Sequence, residues 1–159
     1  MWTTREFNRS DGPFLVVDIG GGSTEFVLGT TKPTAAISTN VGCVRMTERH
    51  LVSDPATPEQ IAAATSDIDA AIDQAYLAVP IADAKSLIGL AGSVTTVAAL
   101  ALGLTEYDSE AIHGSRISAS EVHRVTTELL TMTRAQRATL GPMHEGRIDV
   151  IGSGALVLD

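Results

Sequence analysis

A single cysteine, Cys43, rules out an internal disulfide and any multi-cysteine zinc site, and it favours a reducing compartment such as the cytoplasm. Basic charge is also scarce. Eleven Lys and Arg stand against 19 Asp and Glu, for a formal net charge of −8, so no general basic surface awaits nucleic acid. A polyanionic ligand would have to be held locally, by backbone N–H groups, a few arginines and a metal. The first residues are polar and lack the apolar core of a signal peptide. There is no clean membrane span either. Residues 86–104 carry no charge and are long enough to cross a bilayer. However, Gly89 and Gly92 interrupt them, and Ser93, Thr95 and Thr96 put polar groups at their middle. A buried strand, a turn and a helix account for this stretch better. Internal repeats, low-complexity segments and linkers are absent.

What the chain does have is the composition of a globular domain. Of its 159 residues, 44% are apolar and 19% charged. A domain of that length buries roughly 70% of the surface its unfolded chain exposes. The expected organisation is an N-terminal extension over 1–13 and a single domain over 14–159.

That domain is organised around the stretch from Phe14 to Gly29. Phe14 to Val17 is short, apolar and β-branched at its end, which suits a buried strand, and Phe26 to Leu28 reads as the return strand of a hairpin. Between them lie Gly20, Gly21 and Gly22. Without a Cβ they can adopt positive φ and let the backbone approach a ligand closely. Ser23 and Thr24 add hydroxyls, and consecutive N–H groups in such a turn form a concave anion site. Asp18 and Glu25 flank the cradle. Two carboxylates beside a phosphate site make sense with a hard cation such as Mg²⁺ between them. A plain hairpin loop is the alternative for the glycines taken alone.

Downstream, Thr34 to Val41 supplies a third strand after Pro33, and Gly42 to Val52 a short helix. Thr57-Pro58-Glu59-Gln60 carries a capping box with proline at the first helical position. Ile61, Ala64, Ile68, Ala71, Ile72, Ala75 and Val79 then recur at helical spacing until Pro80. Asp67, Asp69 and Asp73 lie off that stripe, on a solvated face. Leu87 to Ala91 reads as a strand, Gly92 and Ser93 as a turn, and Val94 to Leu102 as a helix. A strand, a small-residue turn and a helix N-terminus together form a second anion site, the plain connection being its alternative. Ser118 to Glu121 and Thr133 to Gln136 read as two more capping boxes. The last stretch, Gly146 to Leu158, reads as a helix apolar on most sides, which implies partners on both sides and makes a homodimer plausible. His113, His123 and His144 share no metal-ligand spacing and read as surface or capping residues.

The two Gly-rich turns, with this helical stretch between them, resemble one family. Asp18-Ile19-Gly20-Gly21-Gly22-Ser23-Thr24-Glu25 resembles the signature of the exopolyphosphatase and guanosine pentaphosphate phosphohydrolase (Ppx/GppA) family. Gly89-Leu90-Ala91-Gly92-Ser93-Val94-Thr95-Thr96 resembles its second phosphate loop. Arg147-Ile148-Asp149 with Gly154-Ala155-Leu156 resembles its late helix. The resemblance implies an α/β, actin-like ATPase (ribonuclease-H-like) domain, a mixed sheet flanked by helices. It implies hydrolysis of terminal phosphates of inorganic polyphosphate or guanosine pentaphosphate with Mg²⁺. Asp18 and Glu25 would organise metal and attacking water. Gly20, Gly21, Gly22, Ser23 and Thr24 would hold a phosphate, with Gly92, Ser93 and Thr95 opposite. Val94 departs from the hydroxyl residue expected there, which matters little if backbone amides do the binding.

Family enzymes place the signature in a second domain, after a first actin-like domain that carries the general base. The chain is therefore expected to be the second domain alone, weakly active or inactive by itself, with the missing N-terminal domain as its partner. Two other readings share these features: an actin-like sugar or acetate kinase that binds ATP, and a non-catalytic polyphosphate- or nucleotide-binding module.

Overall fold

The computed structural model describes residues 7–159. Four strands form one sheet in the order β3-β2-β1-β4. β1 (Phe14–Ile19) and β2 (Thr24–Gly29) are the antiparallel hairpin, and β3 (Pro33–Thr39) continues antiparallel to β2 with a bulge at Leu28/Gly29. β4 (Ser86–Leu90) lies parallel to β1. That reversal makes the sheet mixed. It also requires a crossover, which α2 (Pro58–Ala78) occupies.

Alternation along the strands sorts the side chains by face. Leu15, Val17 and Ile19 from β1 and Phe26 and Leu28 from β2 enter the main core, where Ile68, Ala71 and Ala75 of α2 meet them. The Thr57–Gln60 capping box forms in both directions, and Pro58 opens the helix. Such a cap is worth about 1 kcal/mol. Asp67 is not merely solvated. It bonds to Nε2 of His50 at 2.8 Å and to Arg49 at 2.8 Å, tying α2 to the end of α1 (Cys43–Arg49). The two partners hold its carboxyl below the ordinary aspartate value, His50 first and Arg49 second.

A second core joins Val97 of α3 (Ala91–Ala101), Val125 and Leu129 of α5 (Ala119–Thr131), and Ile151 and Ala155 of α7 (Ile151–Leu158). Short α4 (Ser109–Ile112) closes a third cluster through Ile112, and α6 (Arg134–Arg137) carries the third cap. No helix among the described residues is long and apolar enough to cross a membrane.

Two local expectations need correction. The last helix starts at Ile151 rather than Gly146, because residues 145–147 form a separate turn whose Gly146 N–H donates to His144 Nδ1 at 3.1 Å. The partners its all-round apolar character implies lie within its own chain, where α7 packs on α1, α3 and α5. Finally, Ser118 caps α5 in one direction only, accepting from the Glu121 amide, while the Glu121 carboxylate turns to Arg124. The Thr133–Gln136 box is complete.

Candidate functional site

Because β1 and β4 are parallel, their carboxyl ends lie side by side. Asp18 is paired with Glu25 on one flank and with Leu90, the last residue of β4, on the other. The glycine turn after β1 and the start of α3 therefore open on the same edge of the sheet, where open α/β sheets take ligands.

In the first turn, the Gly20 N–H donates to the Ser23 carbonyl at 2.9 Å. The turn's own carbonyls face α1. Gly20 O accepts from the Cys43 amide at 2.9 Å, and Gly21 O from the amides of Val44 and Arg45 at 2.9 and 3.0 Å. These contacts satisfy the exposed N–H groups of the α1 start. They leave the amides of Gly21, Gly22 and Ser23 without an acceptor among the described residues. Gly42 makes this docking possible, since a Cβ there would meet Gly21 O at 2.6 Å. The expectation of positive φ in the triple glycine is not met: among the described glycines only Gly103 and Gly114 have it. Close approach is what two of them provide: a Cβ on Gly20 would meet Ser23 O at 3.0 Å and one on Gly21 would meet Val44 Cγ2 at 3.2 Å. Arg45 then lies along the turn, its Nε donating to Gly22 O at 2.7 Å.

The two carboxylates stand on one face, directly opposite each other in the ladder. Glu25 Oε1 accepts from Ser23 Oγ at 2.7 Å and from Ser38 Oγ at 2.6 Å. No donor among the described residues engages its other oxygen or Asp18. Two opposed like charges destabilise a ladder unless a cation lies between them. Mg²⁺ typically takes one or two carboxylates and fills its remaining positions with water and phosphate oxygens. The donor set therefore fits Mg²⁺, although no cluster of three or more metal-ligating side chains occurs among the described residues. Thr24 does not offer its hydroxyl to the site. It is fully buried, its Oγ1 donating to the Val41 carbonyl at 2.8 Å, because its side chain alternates to the core face.

The second turn differs from the sequence expectation in where it bends. Gly92 and Ser93 already belong to α3, and the positive φ, +74°, falls on Ala91. The first amides of α3 have no side-chain cap and point to the same sheet edge. Ser93 is buried as a residue, and its Oγ packs where a Cβ on Gly154 would lie. Thr95 Oγ1 reaches back to the Gly92 carbonyl at 3.3 Å, while Thr96 Oγ1 does so at 2.8 Å. Val94 turns into the main core. Gly92 has no room for a side chain because the Arg147 guanidinium lies where its Cβ would be.

Arg45 and Arg147 went unassigned in the sequence reading. Each lies against a glycine of one turn, and neither forms an ion pair with a described residue. By contrast Arg49, Arg124, Arg134 and Arg137 are all paired with carboxylates. Ser38 was likewise missed. Arg147 belongs to the Arg147-Ile148-Asp149 stretch, where nothing local points to Gly92. His123 is exposed and pairs with Asp159. A cavity of about 540 Å³ runs along the outer edge of β4, lined by residues such as Phe14, Ile88 and Ile112.

Comparison with known proteins agrees with this geometry. The Ppx/GppA phosphatase family matches residues 3–159. Exopolyphosphatase 2 of Mycobacterium tuberculosis is 47% identical over 154 residues, which are 97% of this chain and 48% of that protein. A bifunctional 3-dehydroquinate synthase/phosphatase of Fusobacterium nucleatum is 32% identical over 91% of this chain and 22% of its own length. Among solved structures, an exopolyphosphatase-like protein superimposes with a TM-score of 0.94 at 48% identity, covering 98% of this chain and 51% of that one. The Aquifex aeolicus PPX-GPPA enzyme superimposes with 0.83 at 28% identity, covering 92% and 48%. The chain thus spans about half the length of several relatives, and the expected actin-like fold is the one its structural neighbours share. With both glycine turns, the opposed carboxylates and the whole length from residue 3 onward accounted for, the chain belongs to the Ppx/GppA phosphatase family.

Proposed function

We propose that this chain is the phosphate-binding half of an exopolyphosphatase or guanosine pentaphosphate phosphohydrolase site that releases terminal phosphate with Mg²⁺. The observation that carries the reading is the convergence, at one sheet edge, of two amide-bearing turns and an opposed carboxylate pair. The amides of Gly21, Gly22 and Ser23 would donate to one phosphate and those at the start of α3 to the same or a neighbouring one. Such preorganised donors stabilise charge on a transferring phosphoryl group. Arg45 and Arg147 add positive charge on either side. Asp18 and Glu25 would hold Mg²⁺, which when bound neutralises phosphate oxygens and lowers the pKa of its water. Glu25, fixed by two hydroxyls, would orient the attacking water. A chain of about half the relatives' length leaves one wall of such a cleft to be supplied, so the isolated chain would turn over slowly or not at all.

The test is a calorimetric titration of the chain with short-chain polyphosphate, with and without Mg²⁺. Mg²⁺-dependent binding that disappears in Asp18→Asn supports the reading. Binding that is indifferent to both Mg²⁺ and Asp18 removes the carboxylate pair from the function.

A further inference from the structure

We propose that Ser38 is a positioning residue for the Glu25 carboxylate, a role that rests on the cation-and-water reading of Asp18 and Glu25 above. The register places Asp18, Glu25 and Ser38 in one row across β1, β2 and β3. The adjacent row on that face, Val16, Val27 and Ala36, is apolar throughout. Ser38 thus stands beside an apolar row, at the position opposite Glu25. Its Oγ donates to Glu25 Oε1 at 2.6 Å, and Ser23 Oγ donates to the same oxygen at 2.7 Å. Hydrogen bonds to a carboxylate are the short, strong class.

The two donors come from opposite sides, one from the turn and one from the third strand. Together they clamp Oε1 and select one rotamer of a side chain that otherwise has three free torsions. The remaining oxygen, Oε2, is left as the fixed acceptor beside Asp18. Ser23 alone could follow the turn as the turn moves. Ser38 sits in a strand and anchors Glu25 to the sheet itself. Outer partners of this kind typically carry about ten-fold or more in metal affinity.

The experiment compares Ser38→Ala and Ser38→Thr with the parent chain. Ser38 is exposed, so both variants should melt near the parent temperature. Three-bond couplings of Glu25 in ¹³C-labelled protein report its rotamer, and titration with Mn²⁺ alone reports the cation site. In Ser38→Ala the Glu25 couplings should average among rotamers and Mn²⁺ affinity should fall about ten-fold. Ser38→Thr, which keeps the hydroxyl, should restore both. Unchanged Glu25 couplings in Ser38→Ala overturn the proposal, as does failure of Ser38→Thr to restore them. If the parent binds no Mn²⁺ while its Glu25 couplings still depend on Ser38, the positioning role holds and the cation reading fails.

Discussion

Arg147 lies over Gly92 so closely that a Cβ on residue 92 would overlap the guanidinium. The two residues are far apart in the chain, yet one defines the space the other needs. Arg147→Ala should weaken polyphosphate binding about ten-fold, the loss expected for a hydrogen bond to a charged group. Gly92→Ala should cost a similar amount by displacing the guanidinium. Because both act through one contact, Gly92→Ala should add little in the Arg147→Ala background. Calorimetric titration of the four proteins measures this cycle, and full additivity would mean that Gly92 matters for another reason.

Ala91 carries the left-handed conformation that glycine would adopt freely. That conformation costs a residue with a Cβ about 1–2 kcal/mol. Ala91→Gly relieves it, offset by about 0.4–1 kcal/mol of added unfolded-state freedom. The expected net result is a chain more stable by about 0.5–1 kcal/mol, measured by urea denaturation. A destabilised variant would show that the methyl of Ala91 makes a contact worth more than the strain.

Thr24 illustrates a motif residue with a structural duty. Thr24→Val keeps the shape but leaves the buried Val41 carbonyl without its donor. Stability should fall by about 1–3 kcal/mol. Polyphosphate affinity should remain that of the parent, since the hydroxyl faces the core. A thermal melt beside one titration separates the two effects.

The tie between α1 and α2 predicts a pH dependence. The folded-state pKa of Asp67 is depressed, by His50 first and Arg49 second, below its ordinary 3.8. A depressed carboxyl contributes stability above its unfolded value and loses it as pH falls through the folded value. The parent should therefore exceed Asp67→Asn in stability above pH 3.8, and the gap should close as pH drops below it. Salt should narrow the gap, because the pair is exposed. Urea midpoints of both proteins across acid pH check the sign.

Much of the fold was legible because its signals are short-range. The capping box at Thr57–Gln60 and the stripe from Ile61 to Val79 marked α2, and the apolar runs around Gly20–Gly22 marked the hairpin. The site was legible as a list of residue types within two motifs. Which atoms of those motifs are left open at the sheet edge was not. Thr24 alternates into the core, the carbonyls of Gly20 and Gly21 turn to α1, and the bend at the second turn falls on Ala91.

By itself, then, the sequence determined the hairpin with its two carboxylates, the helix boundaries where caps and prolines stand, and the family. Only the tertiary structure decided that Asp18 and Glu25 stand opposite each other, that Ser38 holds Glu25, and that Arg45 and Arg147 close on the two glycine turns. The reason is physical. Caps, turns and hydrophobic periods act over a few residues, so each stretch carries its own record of them. The register of the sheet and the packing of the residue 147 turn on α3 join residues far apart in the chain, and they are fixed only when the cores between them close.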